Sequence, residues 1–321
     1  MNVAARIPRA KAASVAPSKA GLTPLQRREG GLLRFAIAIT VLNILGHLWL
    51  GFEQSWATPF VALAAGYATE LAGEWSLARA IGRRPRFAGS PQVFVRFLLS
   101  AHITGLAVAM LLYAAEKLWV VAFAASVAIA SKYILRLPVG DDGGTRHFYN
   151  PSNFGIALTL ALFPMVGIAP PYQFAENISG ALDWLLPLIV ITTGTLINRK
   201  FTQRLPLICA WLAAFALQAL IRALIHGGPI LAGLAPMTGF AFILFTFYMV
   251  TDPATTPEGR WQQCCFGAFV GAAYGLLMEL HIVFGLFFAL VLASTARGAI
   301  LLLAARRPQR AARLREPSHV G

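Results

Sequence analysis

Long apolar stretches separated by short polar or basic segments make up most of the chain. Ten windows of roughly 20 residues contain few charges and are bounded by charged residues, proline or glycine. They cover about residues 31–51, 57–77, 92–113, 118–136, 151–170, 184–198, 205–224, 229–250, 262–279 and 282–303. Windows of this length match the thickness of a bilayer core, and a helix satisfies its own backbone polar groups there. The pattern predicts an all-α polytopic membrane protein with about ten transmembrane helices.

Composition strengthens this prediction and narrows the chemistry. Of the 321 residues, 57% are hydrophobic and 12% are charged, whereas about a quarter of the residues in a soluble domain are charged. The three cysteines, Cys209, Cys264 and Cys265, all lie in apolar windows. We therefore expect no disulfide framework, and the absence of a CxxC pair gives no reason to expect a metal site.

The basic residues lie at the ends of the windows, on alternate connections. The net charge is +14, but the opposite connections contribute little positive charge beyond Lys117. By the positive-inside rule both termini are predicted to be cytoplasmic, and no nucleic-acid partner is expected. We expect a basic disordered cytoplasmic arm over residues 1–30, a transmembrane domain over 31–305 and a basic cytoplasmic tail over 306–321.

Two short segments resemble each other and suggest an internal repeat. The sequence AHITGLA at residues 101–107 is similar to APMTGFA at residues 235–241. The matched spans run in opposite directions, so we predict a 5+5 inverted repeat over approximately residues 31–170 and 184–303, with a site at the midplane interface. The alternative is that the Thr-Gly pairs, Thr104-Gly105 and Thr238-Gly239, only allow close helix packing.

Two pre-proline polar residues are predicted to begin helices on the cytoplasmic side. Asn150-Pro151 has the form of an N-cap followed by a first-turn proline, and Asn153 adds a second amide on roughly the same face. Asp252-Pro253 has the same form with a carboxylate. An open helix N-terminus attracts polar or anionic groups, although each residue can equally be an ordinary cap.

Ionisable residues inside apolar windows are functional candidates because burying them in a bilayer is costly. Glu70 and Glu74 lie four residues apart, and Arg79 and Arg83 are their predicted ion-pair partners. His102 is either a hydrogen-bonded packing residue or a proton relay. We find no motif for acid–base, nucleophilic or phosphate-binding catalysis, so no catalytic residue is predicted and a stand-alone catalyst is not expected.

At these residues the chain resembles the superfamily of the D subunit of Rnf electron-transport complexes and the B subunit of sodium-pumping NADH:quinone oxidoreductase. The similarity covers roughly residues 91–305 and is strongest at residues 148–155, at Thr238-Gly239 and at residues 251–256. Residues 147–155 and 251–257 are most similar to a branch found near enediyne-type biosynthetic genes.

The resemblance implies a bacterial inner-membrane subunit that relays electrons across the membrane through flavins. It implies a non-covalent riboflavin or FMN, with contacts that fall on Asn150, Asn153 and Asp252. The Thr-Gly pairs of the repeat, Thr104-Gly105 and Thr238-Gly239, are expected to allow close approach of helices or the ring. The expected partners are other membrane or periplasmic redox subunits of a larger complex. Covalent FMN is not expected, because Leu182 stands where the relatives have the attachment threonine and has no hydroxyl, which leaves Ser179 as the alternative attachment residue.

Three hypotheses follow from the sequence. The first is the flavin-binding redox subunit. The second is a non-redox transporter or channel for a small solute or ion on the same inverted-repeat architecture, which broken helices serve equally well. The third is a scaffold subunit without a cofactor.

Overall fold

The computed structural model describes residues 24–139, 144–170, 174 and 176–313, and within these ranges it describes side chains from residue 30 to residue 305. Most of the predicted arm and the end of the predicted tail lie outside the described residues. The first helix begins at Pro24, so the structure describes residues 24–30 as helical. Proline is well suited to a first helical turn, and the Gln, Arg and Glu residues after it are good helix formers.

The chain is about 75% helical and forms no closed sheet. The helices are α1 (Pro24–Leu45), α2 (Ala57–Ala80), α3 (Pro91–Leu111), α4 (Leu118–Ile134), α5 (Pro151–Leu162), α6 (Leu182–Ile197), α7 (Leu205–His226), α8 (Ile230–Leu234), α9 (Phe240–Leu244), α10 (Arg260–Glu279) and α11 (Gly285–Arg313). Four short strands are also described, β1 (Leu112–Tyr113), β2 (Arg136–Val139), β3 (Gly144–His147) and β4 (Gly167–Ile168). The predicted all-α class is therefore confirmed, with the strands confined to connections.

Several helices are long and apolar enough to cross a membrane. Within the described residues four qualify, over Gly30–Leu50, Pro91–Leu111, Leu205–His226 and Gly285–Ala305, and a fifth qualifies if a bent helix pair is counted as one span. Helices α4 and α5 are apolar but shorter. The structure thus supports a membrane protein with four or five clear spans, and the full set of ten stays a prediction.

The predicted span over residues 229–250 is broken near its middle. Its two parts, Ile230–Thr238 and Phe240–Met249, meet at an angle of 69°. Pro236 lacks an N–H and cannot continue an α-helix, and Gly239 is extended, with φ −74° and ψ 139°. The break follows from these two residues.

Small residues set the closest contacts between helices. A Cβ atom on Gly155 of α5 would lie 2.5 Å from the backbone oxygen of Ala124 in α4. A Cβ atom on Gly267 of α10 would lie 2.5 Å from the backbone oxygen of Leu207 in α7. Glycine therefore allows these backbones to touch, as is common between membrane helices.

The two halves of the chain share a local feature. Helix α1 continues into a π-helical turn, Gly46–Leu50, that ends at Gly51 with φ +94°. Helix α6 continues into a π-helical turn, Asn198–Thr202, that ends at Gln203 with φ +57°. Helix α1 packs on α3, and α6 packs on α9. The first and sixth helices therefore end in the same way and have comparable positions.

Strand pairs connect helix ends on the two sides of the bundle. Strands β1 and β4 pair antiparallel and join the ends of α3 and α5. Strands β2 and β3 form an antiparallel hairpin between α4 and α5. This hairpin leads directly into Asn150, so it sets where α5 begins.

Candidate functional site

A cavity of about 870 Å³ lies between the two halves of the chain. It is bounded by α1 and α3 from the first half, by α6 and the segment after α9 from the second, and by the start of α5. Its size lies in the range of small-molecule and cofactor pockets, roughly 300–1,000 Å³. Three of the residues predicted from the sequence line it, Thr104, Asn150 and Asp252.

Aromatic side chains form part of the cavity wall. The rings of Phe35 and Tyr248 stack with their centroids 5.0 Å apart, which joins α1 to the segment after α9. The Tyr248 hydroxyl hydrogen-bonds the Thr193 hydroxyl of α6 at 2.9 Å. Phe201 and Phe247 also line the cavity. Such a wall suits a flat aromatic ligand, because rings stack with offsets on one another.

Asn150 caps α5 as the sequence predicts. Its Oδ1 accepts hydrogen bonds from the Asn153 backbone N–H at 3.1 Å and from the Ser152 hydroxyl at 2.9 Å. Its Nδ2 donates to the Met249 carbonyl at 3.1 Å. One amide N–H remains free of partners among the described residues. The cap therefore fixes the start of α5 to the second half of the chain and keeps one donor for a ligand.

Asn153 lies behind the cavity wall. Its Nδ2 donates to the Phe287 carbonyl of α11 at 3.0 Å, and its Oδ1 is buried without a partner within the described residues. The residue is absent from the lining of the cavity. In this structure Asn153 joins α5 to α11, and its direct contact with a ligand stays a prediction.

Asp252 lines the cavity, but it does not cap α10 as predicted. Its Oδ1 accepts from the Ala254 backbone N–H at 2.9 Å, and its Oδ2 accepts from the Thr255 hydroxyl at 3.0 Å. The N-cap of α10 is Gly259. Asp252 instead closes a short turn, because an Asx side chain before proline can bond the backbone two residues on as well as a helix N-terminus.

Three arginines that the sequence did not single out as site residues hold this turn. We call Arg146, Arg204 and Arg297 the arginine clasp. Arg146 donates to the Pro253 carbonyl at 3.1 Å, and Arg297 donates to the Thr255 carbonyl at 3.0 Å. The Nε of Arg204 donates to the Thr256 hydroxyl at 2.9 Å. The clasp brings β3, α11 and the start of α7 together at the Asp252 turn.

Arg204 is the most buried part of the clasp that faces the cavity. Its side chain is buried, and burial lowers the pKa of its guanidinium. Asp252 and Glu258 lie near enough to oppose this shift, yet neither forms an ion pair with it among the described residues. Arginine stays charged in proteins. Here hydrogen bonds to neutral oxygens, those of the Thr256 hydroxyl and the Thr202 carbonyl, stabilise the guanidinium.

Thr104 lies on the cavity face of α3. It is 5% exposed, lines the cavity and forms no side-chain hydrogen bond with another described residue. Ser100, one helical turn earlier, lines the same face. Gly105 points the other way, where an added Cβ would lie 3.1 Å from the Ala62 carbonyl of α2. Thr104 is thus a free hydroxyl in the cavity, whereas Gly105 serves close helix packing.

Thr238 and Gly239 lie away from the cavity. The Thr238 hydroxyl donates to the Ala235 carbonyl at 2.7 Å and its side chain is exposed on the protein surface. Gly239 forms the break between the two parts of the bent pair. The two repeat segments are therefore similar in sequence but differ in position. Thr104 lines the cavity, whereas Thr238 lies on the surface beside the break.

His102 is enclosed by hydroxyl groups within the bundle. Its Nε2 lies 2.7 Å from the Thr40 hydroxyl and its Nδ1 lies 2.6 Å from the Tyr67 hydroxyl. The Thr40 proton is used in a bond to the Ala36 carbonyl at 2.7 Å, so Nε2 donates to Thr40. Both ring nitrogens thus have partners within the bundle, which favours the packing interpretation.

Glu70 and Glu74 are both buried and paired. Glu70 Oε2 lies 2.5 Å from Lys132 Nζ of α4. Glu74 pairs with Arg83 at 2.5 Å and with Arg86 at 2.8 Å. The predicted ion pair between Glu74 and Arg83 is confirmed. The sequence did not predict the pair between Glu70 and Lys132, because these residues lie on different helices and no spacing along the chain relates them.

Burial also affects His147, which lies in β3 on the cavity lining. Burial is the main cause that lowers the pKa of the His147 imidazole from 6.5 to about 4. The positive charges of Lys132, Arg136 and Arg146 act in the same direction, whereas the negative charge of Asp252 opposes the shift. In the unfolded chain the imidazole takes up a proton below its usual pKa, while in the folded chain it stays neutral until pH nears 4. Folding is therefore disfavoured increasingly as pH falls from 6.5 towards 4.

We expect the unfolding temperature in detergent to fall between pH 6.5 and 4 by more in the parent than in a His147→Gln variant. Other groups titrate in this range, so the difference between the two proteins is the relevant quantity. His281→Asn, a change of an exposed histidine with φ +57°, is the control and should behave as the parent. Parallel curves for parent and His147→Gln would contradict this assignment.

Two further features bear on cofactors. Leu182 begins α6 and is 41% exposed, and Ser179 is exposed, although residues 171–173 and 175 of this loop lie outside the described residues. In the part of the chain that the structure describes, no group of three or more His, Cys, Asp or Glu side chains is placed to hold a metal ion.

Comparison with known proteins gives no assignment. No protein-family profile matches the chain, and no curated protein is found to be similar to it. The site must therefore be interpreted from its own geometry.

Proposed function

We propose that the chain is an integral-membrane electron-transport subunit that binds a non-covalent flavin, riboflavin or FMN, in the cavity between its halves. The observation that carries the proposal is the convergence of Thr104, Asn150 and Asp252 on one cavity of about 870 Å³. These residues come from distant parts of the sequence. The resemblance to the Rnf and sodium-pumping subunits points to Asn150 and Asp252, and the internal repeat points to Thr104.

The groups around the cavity fit a flavin ring. A flavin needs an apolar slot for its fused rings and a few hydrogen-bonding groups for its carbonyls and ring nitrogens. The stacked pair of Phe35 and Tyr248 supports the first requirement. The free Thr104 hydroxyl and the remaining Asn150 N–H support the second. When bound, the flavin would supply reversible electron transfer, and the chain would supply placement and electrostatics.

The proposal includes ten spans in a 5+5 inverted repeat. Its support is that α1 and α6 both end in a π-helical turn followed by a left-handed residue. The cavity lies between α1 and α3 on one side and α6 and α9 on the other, which is where an inverted repeat forms its site. In this arrangement the arginine-rich ends face the cytoplasm of a bacterial cell, together with both termini, and the protein lies in the inner membrane.

Electron transfer across the whole membrane requires partners in this proposal. One non-covalent flavin lies near the arginine-rich end, and Leu182 offers no covalent attachment at the other end. Other membrane or periplasmic redox subunits, such as a protein with covalent flavin, would complete the path.

The test is the flavin content of the protein purified in mild detergent, measured by absorbance, acid extraction and chromatography. We expect near-equimolar flavin in the parent and loss of flavin in a folded Asn150→Ala/Asp252→Ala variant. Thr104→Val should weaken flavin binding about fivefold, since one hydrogen bond contributes on the order of 1 kcal/mol.

Thr159→Val is the matched control for the hydroxyl. The Thr159 hydroxyl bonds only the Gly155 carbonyl of its own helix and lies outside the cavity lining. Flavin-free parent protein from flavin-replete cells would overturn the proposal.

The second candidate is a non-redox transporter or channel for a small solute or ion. The break between Thr238 and Phe240 favours it, because broken helices at a repeat interface are common in transporters. Uptake of solute into proteoliposomes without an electron donor, by protein that contains no flavin, would support this candidate over the first.

A further inference from the structure

A buried ion pair lies directly behind the cavity wall. Lys132 of α4 is 9% exposed and Glu70 of α2 is 4% exposed. Lys132 Nζ lies 2.5 Å from Glu70 Oε2 and also donates to the Ser100 hydroxyl of α3 at 3.2 Å. Ser100 lines the cavity. The Ser100 hydroxyl therefore links the pair to the cavity.

Stability alone is a poor reason for this pair. Removing two charges from water costs several kcal/mol per ion, and well-packed apolar residues in their place are often as stable. Ionisable residues in membrane segments are for this reason functional candidates. The Ser100 hydroxyl oxygen accepts a hydrogen bond from Lys132 Nζ. Its own O–H proton can therefore be donated to another group. No other partner of this hydroxyl is found among the described residues.

We propose that Lys132, Glu70 and Ser100 deliver protons to a redox ligand in the cavity when that ligand is reduced. This inference rests on the proposed function, because it requires a ligand that takes up protons with electrons. Lys132 is the proton donor, Ser100 is the relay, and Glu70 keeps Lys132 protonated between turnovers.

The charges and protons balance in this scheme. Two-electron reduction of a flavin-type ring takes two electrons from a low-potential redox protein, which is oxidised, and consumes two protons. For each proton, an N–H bond of Lys132 breaks as the proton moves to the Ser100 oxygen, while the Ser100 O–H proton passes to the ligand. Lys132 lies in the last turn of α4 and is then reprotonated from the arginine-rich end.

The surroundings of Lys132 favour its reprotonation. On its own helix, Tyr133 donates to Glu70 Oε1 at 3.1 Å. Tyr133 thus holds the Glu70 side chain beside Lys132, where it attracts the replacement proton.

The test compares Ser100→Ala with Ser131→Ala in the flavin-loaded protein. Ser131 precedes Lys132 and is buried, but its hydroxyl donates only to the Ala128 carbonyl of its own helix at 2.7 Å. Flavin content, midpoint potential and the rate of proton uptake on reduction by reduced methyl viologen, whose oxidation releases no proton, are measured, the last with a pH-indicator dye in stopped flow. Both variants keep the ion pair, so both should fold.

We expect Ser100→Ala to slow proton uptake about 100-fold, the low end of what a positioned proton-transfer group contributes. Its flavin content and midpoint potential should equal those of the parent, because a relay changes the rate and not the equilibrium. Ser131→Ala should match the parent in all three measurements. Equal proton-uptake rates in the two variants, with flavin bound, would overturn this inference alone. A flavin-free parent would overturn the proposed function and this inference with it.

Discussion

Glu70→Ala is expected to lower the free energy of unfolding by about 3–5 kcal/mol, the range found when one partner of a buried ion pair is removed. The change leaves the Lys132 ammonium, which is 9% exposed, without its carboxylate. Ser100 alone cannot replace a negative charge. SDS titration of the purified protein would measure the loss, and the yield of monodisperse protein should fall with it.

A double variant separates lost pairing from lost packing. Glu70→Gln/Lys132→Met removes both charges and keeps similar volumes, so it should recover most of the stability. Glu116→Ala, a change at an exposed carboxylate near the start of α4, should have little effect. A double variant as unstable as Glu70→Ala would show that Glu70 acts through packing and Tyr133 rather than through the charge of Lys132.

Gly155→Val is expected to cost about 1–3 kcal/mol of stability or more and to abolish flavin binding. An added Cβ would meet the Ala124 carbonyl oxygen at 2.5 Å and the Ala128 Cβ at 2.6 Å. The first contact is with backbone, so α5 itself must move away from α4. Because Asn150 caps α5, the movement displaces the cavity end at the same time.

Gly228→Val is the matched control, since a Cβ there would meet nothing within 4 Å. Unfolding in SDS and extractable flavin would be measured for both variants. A Gly155→Val protein with the stability of the control would contradict the close α4–α5 contact. A destabilised protein that still bound stoichiometric flavin would separate the packing of α5 from the cavity.

Local rules predicted some features of the site because those features are local. The cap at Asn150 depends on residues within one helical turn, and the sequence contains all of them. The Asp252 cap was predicted by the same rule and is wrong, because Pro257 and Gly259 delay the start of α10 until Arg260. A polar residue before proline is compatible with either outcome.

Contacts between segments that are far apart in the chain could not be predicted from the sequence. The arginine clasp joins Arg146 to Pro253 and Arg204 to Thr256, and no spacing along the chain indicates these pairs. The same holds for Lys132 and Glu70, which are 62 residues apart. Their charges were visible as basic clusters at window ends, but charge patterns identify a side of the membrane and not a partner.

The repeat predicted Thr104 as a site residue, and its position on the cavity is consistent with that prediction. It predicted Thr238 by the same argument, yet Thr238 lies on the surface at the break. Helix α3 has no proline between Ser100 and Leu111, whereas Pro236 and Gly239 interrupt the second segment. Similar short sequences take different conformations when their neighbours differ in the ability to continue a helix.

At one end of the molecule, the hydrogen bonds of the arginine clasp to the Asp252 turn depend little on ionic strength. The guanidinium groups of the clasp bind carbonyl and hydroxyl oxygens, which carry no net charge for salt to screen. At the other end, the exposed Glu279 pairs with Arg222 and His226, and such pairs weaken once the screening length falls to about 10 Å at 0.1 M salt. Concentrated salt therefore loosens the junction between α7 and α10 at that end and leaves the Asp252 turn in place.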